Sequence, residues 1–211
     1  MIRPWPTPYF LNKACLPKEA WSPEDHPRDE AGRFGGGGGK PAAPALPSAQ
    51  ATRDAHMAQV DTRKAELEGM VERGEIPHVL EDPLSSEGIE HAALTHMKSV
   101  LERHADMVRR YGENTRNYVP AYVTDSQGKL IAAGDMTVGK QAGYINNVGS
   151  VVRGTGAKVM DKLMMAAKAK GISYVDLESE SPQSDQFYEK IGFSRHPNGS
   201  WRMYVKNWRR P

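Results

Sequence analysis

Hydrophobic positions along the chain change period near residue 112. From Ser85 to Tyr111, Ile89, Ala93, Met97, Val100, Leu101, Val108 and Tyr111 recur at helical spacing. A serine pair precedes them and Gly112 follows, which predicts a long amphipathic helix. Ahead of it, Thr52–Arg73 is helix-permissive and can stop at Gly74. Its apolar face is thin (Val60, Leu67, Met70 and Val71, interrupted by Lys64), so a peripheral helix is expected. Beyond Gly112 the pattern becomes strand-like over Tyr118–Thr124 and Lys129–Val138, joined by a turn at Asp125–Gly128. Pro120 places the first of these near an edge or a bulge. Tyr144–Val148 reads as a third strand, and Val151–Gly156 opens a helix with a buried stripe of Val159, Met160, Leu163, Met164 and Ala167 that ends at Gly171. A short buried strand Ile172–Leu177, a helix Gln183–Ile191 and a last strand Ser200–Val205 complete the series. Ile76–Leu80 is the one candidate for an earlier strand. The order predicts an α/β (α+β) layer structure, with a mixed central sheet flanked by helices.

Composition separates an arm from this body. The first fifty residues hold most of the fifteen prolines, the run Gly35–Gly39 and the tract PAAPALPS. Such a stretch buries too little apolar surface to offset its ordering entropy, so a disordered arm over 1–50 is expected. A peripheral helix and linker then span 51–84, and the folded domain 85–211. Within the arm, WSPEDHPRDEAGRF (Trp21–Phe34) reads either as solvated linker or as a docking segment anchored by Trp21 and Phe34. The net charge of +2 does not by itself indicate nucleic acid or an anionic membrane. No apolar run reaches the ~18 residues of a membrane span, and the proline-punctuated start lacks the apolar core of a signal peptide. A single cysteine, Cys15, excludes an intramolecular disulfide and a thiolate metal cage, so a reducing compartment is expected.

The strand–loop–helix unit at Val151–Ala157 carries the clearest chemistry. Gly154 and Gly156 permit close backbone approach, and the first amides of the following helix lack intrahelical partners. With the helix dipole they form an anion site suited to a diphosphate, to which Arg153 adds charge-assisted bonds. The loop lacks the Lys-Ser/Thr of a P-loop and the third glycine of a dinucleotide fingerprint.

About thirty residues on stands Phe187–Tyr188–Glu189–Lys190–Ile191–Gly192–Phe193. Taken together, VVRGTGAKVMDKLMMAAKAKG, ISYVDLES and FYEKIGF resemble the GCN5-related N-acetyltransferase (GNAT) superfamily over about residues 117–207. The resemblance implies an acyl-CoA-dependent N-acyltransferase with acetyl-CoA as co-substrate, an amine acceptor and no metal. By the same resemblance, Val152, Arg153, Gly154, Thr155, Gly156 and Ala157 bind the CoA diphosphate. The third strand splays from its neighbour to accept the pantetheine arm, an amide near Val148 polarises the thioester carbonyl, and Tyr188 protonates the departing thiolate. A phenol is a sensible donor to a thiolate when poised by hydrogen bonding.

Three positions depart from the family pattern. Val151 replaces the loop's usual Gln or Arg, and Ser181 an asparagine. Asn146 and Asn147 stand where many relatives carry a glutamate acting as general base, and an amide cannot take a proton at neutral pH. Glu178, Glu180 and Asp135 are the nearest alternatives, each read as a surface carboxylate; otherwise the amine arrives already neutral. His91 and His96 lie five apart, off a shared helical face, and His104 reads as a satisfied interior imidazole. The basic, aromatic tail (Arg195, His196, Trp201, Arg202, Lys206, Trp208, Arg209, Arg210) reads as a solvated last strand, or as a contact to nucleic acid or to the adenosine 3′-phosphate of CoA. Finally, HPRDEAGRF resembles segments of tailed-phage head-morphogenesis and portal-associated proteins. That implies a phage-encoded enzyme in the bacterial host cytoplasm, or a virion-associated protein docked through 21–34 on a head or portal protein. It also admits a capsid-associated scaffold without catalysis.

Overall fold

The computed structural model describes residues 47–76, 80, 85–113 and 115–210. The arm segment Trp21–Phe34 lies outside the described residues, as do 77–79 of the candidate early strand; Ile76 and Leu80 are not in a strand. Helices α1 (Ala49–Glu72) and α2 (Ser86–Tyr111) come first, followed by strands β1 (Tyr118–Thr124), β2 (Leu130–Val138) and β3 (Ala142–Ser150). Then come α3 (Thr155–Ala169), β4 (Tyr174–Leu177), α4 (Pro182–Lys190), β5 (Ser194–Arg195) and β6 (Trp201–Tyr204), with a 3-10 turn at Val205–Asn207. The sheet order is β1-β2-β3-β4-β6-β5, antiparallel except for the parallel pair β3–β4. The mixed sheet flanked by helices is therefore the expected one. The two-residue strand β5 was not anticipated, because Ser194–Arg195 carries no apolar alternation.

Each sheet face has its own core. On one side α3 buries Val159, Met160, Leu163, Met164 and Ala167 against Ala132, Met136, Ile145 and Val175, the whole predicted stripe. On the other, Leu94, Met97, Val100 and Leu101 of α2 close over Leu130 and Ala133, joined by Val60 and Leu67 of α1. Of the thin α1 stripe, Val60 and Leu67 are buried and Met70 packs at the margin, while Val71 stays outside the cluster, and Gln59 adds a pair of bonds to the backbone of Leu130. The ends of the α2 stripe do not bury: Ile89 is 52% and Tyr111 67% exposed, whereas Leu94, which the pattern missed, is buried. Burial of a side chain such as Leu101 contributes about 1.5–3 kcal/mol.

Two glycines let the helices sit this close. A Cβ on Gly149 of β3 would stand 2.3 Å from the Ala93 carbonyl of α2, and one on Gly134 of β2 would stand 2.5 Å from Val159 of α3. β1 is an edge strand, as Pro120 required. The hairpin turn is held by Asp125, whose Oδ1 accepts from the amides of Gln127 and Lys129 at 2.9 Å each.

Candidate active site

At the start of α3 the backbone is shaped by the protein and then left open. The carbonyl of Val152 is met by the Thr155 amide (3.1 Å), the Thr155 hydroxyl (2.7 Å) and the Ser150 hydroxyl (2.8 Å). Gly154, the N-cap, sits at φ +85° and offers no side chain to the helix. That left-handed dihedral suits glycine alone among common residues. The amides of Val152, Arg153, Gly154, Gly156 and Ala157 have no hydrogen-bond partner among the described residues. Thr155 departs from the expected set: its amide and hydroxyl are both spent inside the loop, and it is a structural residue there. Val152, Arg153 and Gly154 are exposed, whereas Gly156 is buried 3.7 Å from the Phe187 ring, measured from the position a Cβ would take. The loop and α4 are therefore neighbours.

Beside this loop the sheet opens. The ladder between β3 and β4 ends at Ile145 opposite Leu177, while the ladder between β3 and β2 continues to Ser150 opposite Ala132. Asn146 to Ser150, Val148 among them, thus have no strand partner on the β4 side among the described residues. Tyr188 of α4 packs its ring against Phe187 and Phe193, at centroid separations of 5.2 and 5.9 Å. Among the described residues its hydroxyl makes no hydrogen bond and no buried side-chain polar atom is left unsatisfied, so Oη is not sealed from solvent by them. Burial, with a smaller contribution from the charge of Glu180, pushes this phenol up to about 12. It stays protonated at any physiological pH.

The β2–β3 register slips at the opening. Asp135 pairs with Asn147 and Met136 with Ile145, which leaves Asn146 as the extra residue of a bulge. Asp135 is not the expected surface carboxylate; it is fully buried. Its Oδ1 accepts from Asn147 Nδ2 and its Oδ2 from Asn146 Nδ2, each at 3.1 Å, with Arg103 Nη1 3.4 Å from Oδ2. Burial raises this carboxyl above the ordinary aspartate range, and these donors pull against that rise. Asn147 Oδ1 then faces His96 Nδ1 of α2 at 3.4 Å, and His96 Nε2 lies 3.3 Å from Glu180 Oε2. Glu178 and Glu180 are exposed, as expected. Sequence reasoning set His96 aside because it was weighed only as half of a metal pair. Its signal was its position one helical turn from Val100 on a face turned toward β3.

His104 and several tail residues make contacts within the fold. His104 Nδ1 lies 2.8 Å from Tyr122 Oη, and burial, then the charge of Arg53, lowers its pKa. No cluster of three potential metal ligands occurs among the described residues, and no described helix is long and apolar enough to cross a membrane. In the tail, Arg202 holds Asp176 through two 2.7 Å bonds and lies over the Tyr174 ring, while Arg210 and the Trp208 indole both reach Asp161. A depression of about 440 Å³ lies along this tail between Lys190, Arg195 and Arg209. It is an open basic groove away from the α3 loop, and it brings together no free phenol, open strand or helix start.

No protein-family model matches the chain, and no curated protein matches it. Solved structures of similar arrangement include Tetrahymena GCN5 (13% identity over 58% of this chain and 92% of that one, TM-score 0.41). A chain from Desulfovibrio desulfuricans ascribed to the GNAT family is 12% identical over 62% and 94% of the two chains, with TM-score 0.45. The Escherichia coli ribosomal-protein-S18-alanine N-acetyltransferase is 14% identical over 54% and 86%, with TM-score 0.41. Identities and scores of this size carry nothing about this chain's activity, which must be argued from its own site.

Proposed function

We propose that the protein is an acyl-CoA-dependent N-acyltransferase, moving an acetyl group from acetyl-CoA to an amine. The observation that supports this best is a convergence. Five unpartnered amides at the start of α3, an unpaired stretch of β3 and an unbonded phenol on α4 meet where β3 and β4 part. The loop amides of Val152, Arg153, Gly154, Gly156 and Ala157 receive the diphosphate, with Arg153 adding charge. The open edge of β3 lines the pantetheine arm, and the Val148 backbone lies where the thioester oxygen gathers charge.

The amine nitrogen attacks the carbonyl carbon; the C–N bond forms and the C–S bond breaks. An ammonium acceptor must shed two protons to become an amide. One leaves before attack. The other, leaving the nitrogen after attack, replaces the proton that Tyr188 gives to the sulfur. A phenol near 12 is a poor acid toward a thiol of pKa about 8.5, so donation has to be concerted with that replacement. The arm segment 21–34 belongs to the same proposal as a tether to a phage head or portal protein, and deleting residues 1–46 tests it without touching the loop.

Mass spectrometry of the native protein for co-purified CoA, followed by release of CoA from acetyl-CoA in the presence of amines, tests the reading. Bound CoA and turnover that falls in Tyr188→Phe support it. Failure to bind CoA at all removes it.

A further inference from the structure

We propose that His96 is the general base of this transfer, taking a proton at Nε2 from an acceptor that arrives as a primary ammonium ion; the assignment rests on the N-acyltransferase reading. Where the strand lacks a glutamate, the structure supplies a different chain of groups, whose directions follow from an ionised Asp135 as acceptor. A carboxylate only accepts, so Asn146 and Asn147 must both present Nδ2 to Asp135. The Asn147 oxygen is thereby turned toward His96. An oxygen needs a donor, so the imidazole carries its proton on Nδ1. In the neutral ring the lone pair is then on Nε2, at the end facing Glu180. Asp135 orients Asn147, Asn147 selects the tautomer, and neither touches substrate; both are positioning residues.

Nε2 and the Glu180 carboxylate lie close enough for one ligand to bridge both. A lone pair and a carboxylate oxygen 3.3 Å apart are two acceptors with no donor between them when the ring is neutral. They are satisfied by a proton on the ring or by a cation bearing N–H groups. A primary ammonium supplies those groups, loses one proton to Nε2 and becomes the nucleophile, while Glu180 stabilises the imidazolium until the proton passes to solvent. Glu180 also raises the Tyr188 phenol through its charge, so one carboxylate acts on both the base and the leaving-group donor. The charged groups around the ring are otherwise few. Arg103, on the same helix, points to Asp135, and from α1 Lys64 reaches Thr95 and Glu68 reaches His91.

Two measurements decide it. Nitrogen-15 correlation spectra of the histidine rings report the tautomer directly. His96 is expected as the Nδ1–H form, shifting toward a mixture in Asn147→Leu; an Nε2–H ring in the unaltered protein overturns the assignment, whatever the enzyme does. The second is the pH profile of CoA release from acetyl-CoA, with glycinamide as amine and with water alone. The unaltered protein should show an acid limb, with rate rising as the base deprotonates. His96→Gln should lose that limb and about 10² or more of the rate at neutral pH. Glu180→Gln, at an exposed position, should raise KM for the amine. A limb and a rate unchanged in His96→Gln overturn the role of His96 while leaving the transferase reading intact. A protein that binds no acetyl-CoA, or binds it and never releases CoA, overturns both.

Discussion

Two helices begin within reach of the same cleft, and they begin in opposite ways. At α4 the chain closes a capping box: Ser181 caps the Ser184 amide, Ser184 returns a bond to the Ser181 amide, and Pro182 removes one donor outright. Asp185 in the first turn accepts from the Trp201 indole. At α3 the capping position is Gly154, no side chain bonds the helix start, and five amides are left over. Helices α1 and α2 are also capped by serines, Ser48 and Ser85. A serine cap contributes about 1 kcal/mol over alanine but only a few tenths over glycine, so the open start of α3 costs little while leaving its amides available. The difference teaches that α4 is built to hold Tyr188 still, whereas α3 is built to receive something.

The comparison can be broken at several points. Tyr188→Phe should lower kcat by about 10²–10⁴ with CoA affinity unchanged; because Oη has no partner to lose, the melting temperature should stay where it is, and a stable variant with full turnover would place the proton donor elsewhere. Arg153→Glu should weaken CoA binding about tenfold, with the loss shrinking as salt rises, read by titration calorimetry. Ser181→Ala should do the reverse of that: unfolding free energy falls by about 1 kcal/mol in a denaturant titration, with CoA affinity within twofold. The smallest effect concerns His104. Its folded-state pKa lies below the ordinary 6.5, so the folded protein binds fewer protons than the unfolded chain just below that value. The contribution is whole above 6.5 and is lost as pH falls. Asp135, raised by burial, gives the opposite slope at more acid pH. The melting temperature should therefore drop from pH 7 toward 5 less steeply in His104→Gln than in the unaltered protein.

Much of this was legible in the sequence. The α3 stripe, the Asp125–Gly128 turn and the edge position of β1 follow from local pattern, because each depends on residues a few positions apart. The glycine loop and Tyr188 were legible as residues, whereas the bonds of Thr155 to the Val152 carbonyl depend on a turn whose shape only coordinates give. Asp135 was misread for a related reason. A carboxylate in a strand looks solvent-facing until its neighbours are known, and here those neighbours are two asparagines brought alongside by a bulge eleven and twelve residues later. His96 needed three elements at once, α2, β3 and the segment after β4, and no spacing along the chain links them. Long-range polar chemistry was thus the part hidden from the sequence.

Amide-resolved nuclear magnetic resonance during titration with CoA addresses the open helix start most directly. The signals of Val152, Arg153, Gly154, Gly156 and Ala157 should move together and saturate, with Thr155 lagging because its amide is already bonded and with Ser184 still. Shifts confined to the basic groove around Arg195 and Arg209, or no shifts anywhere, would contradict the account.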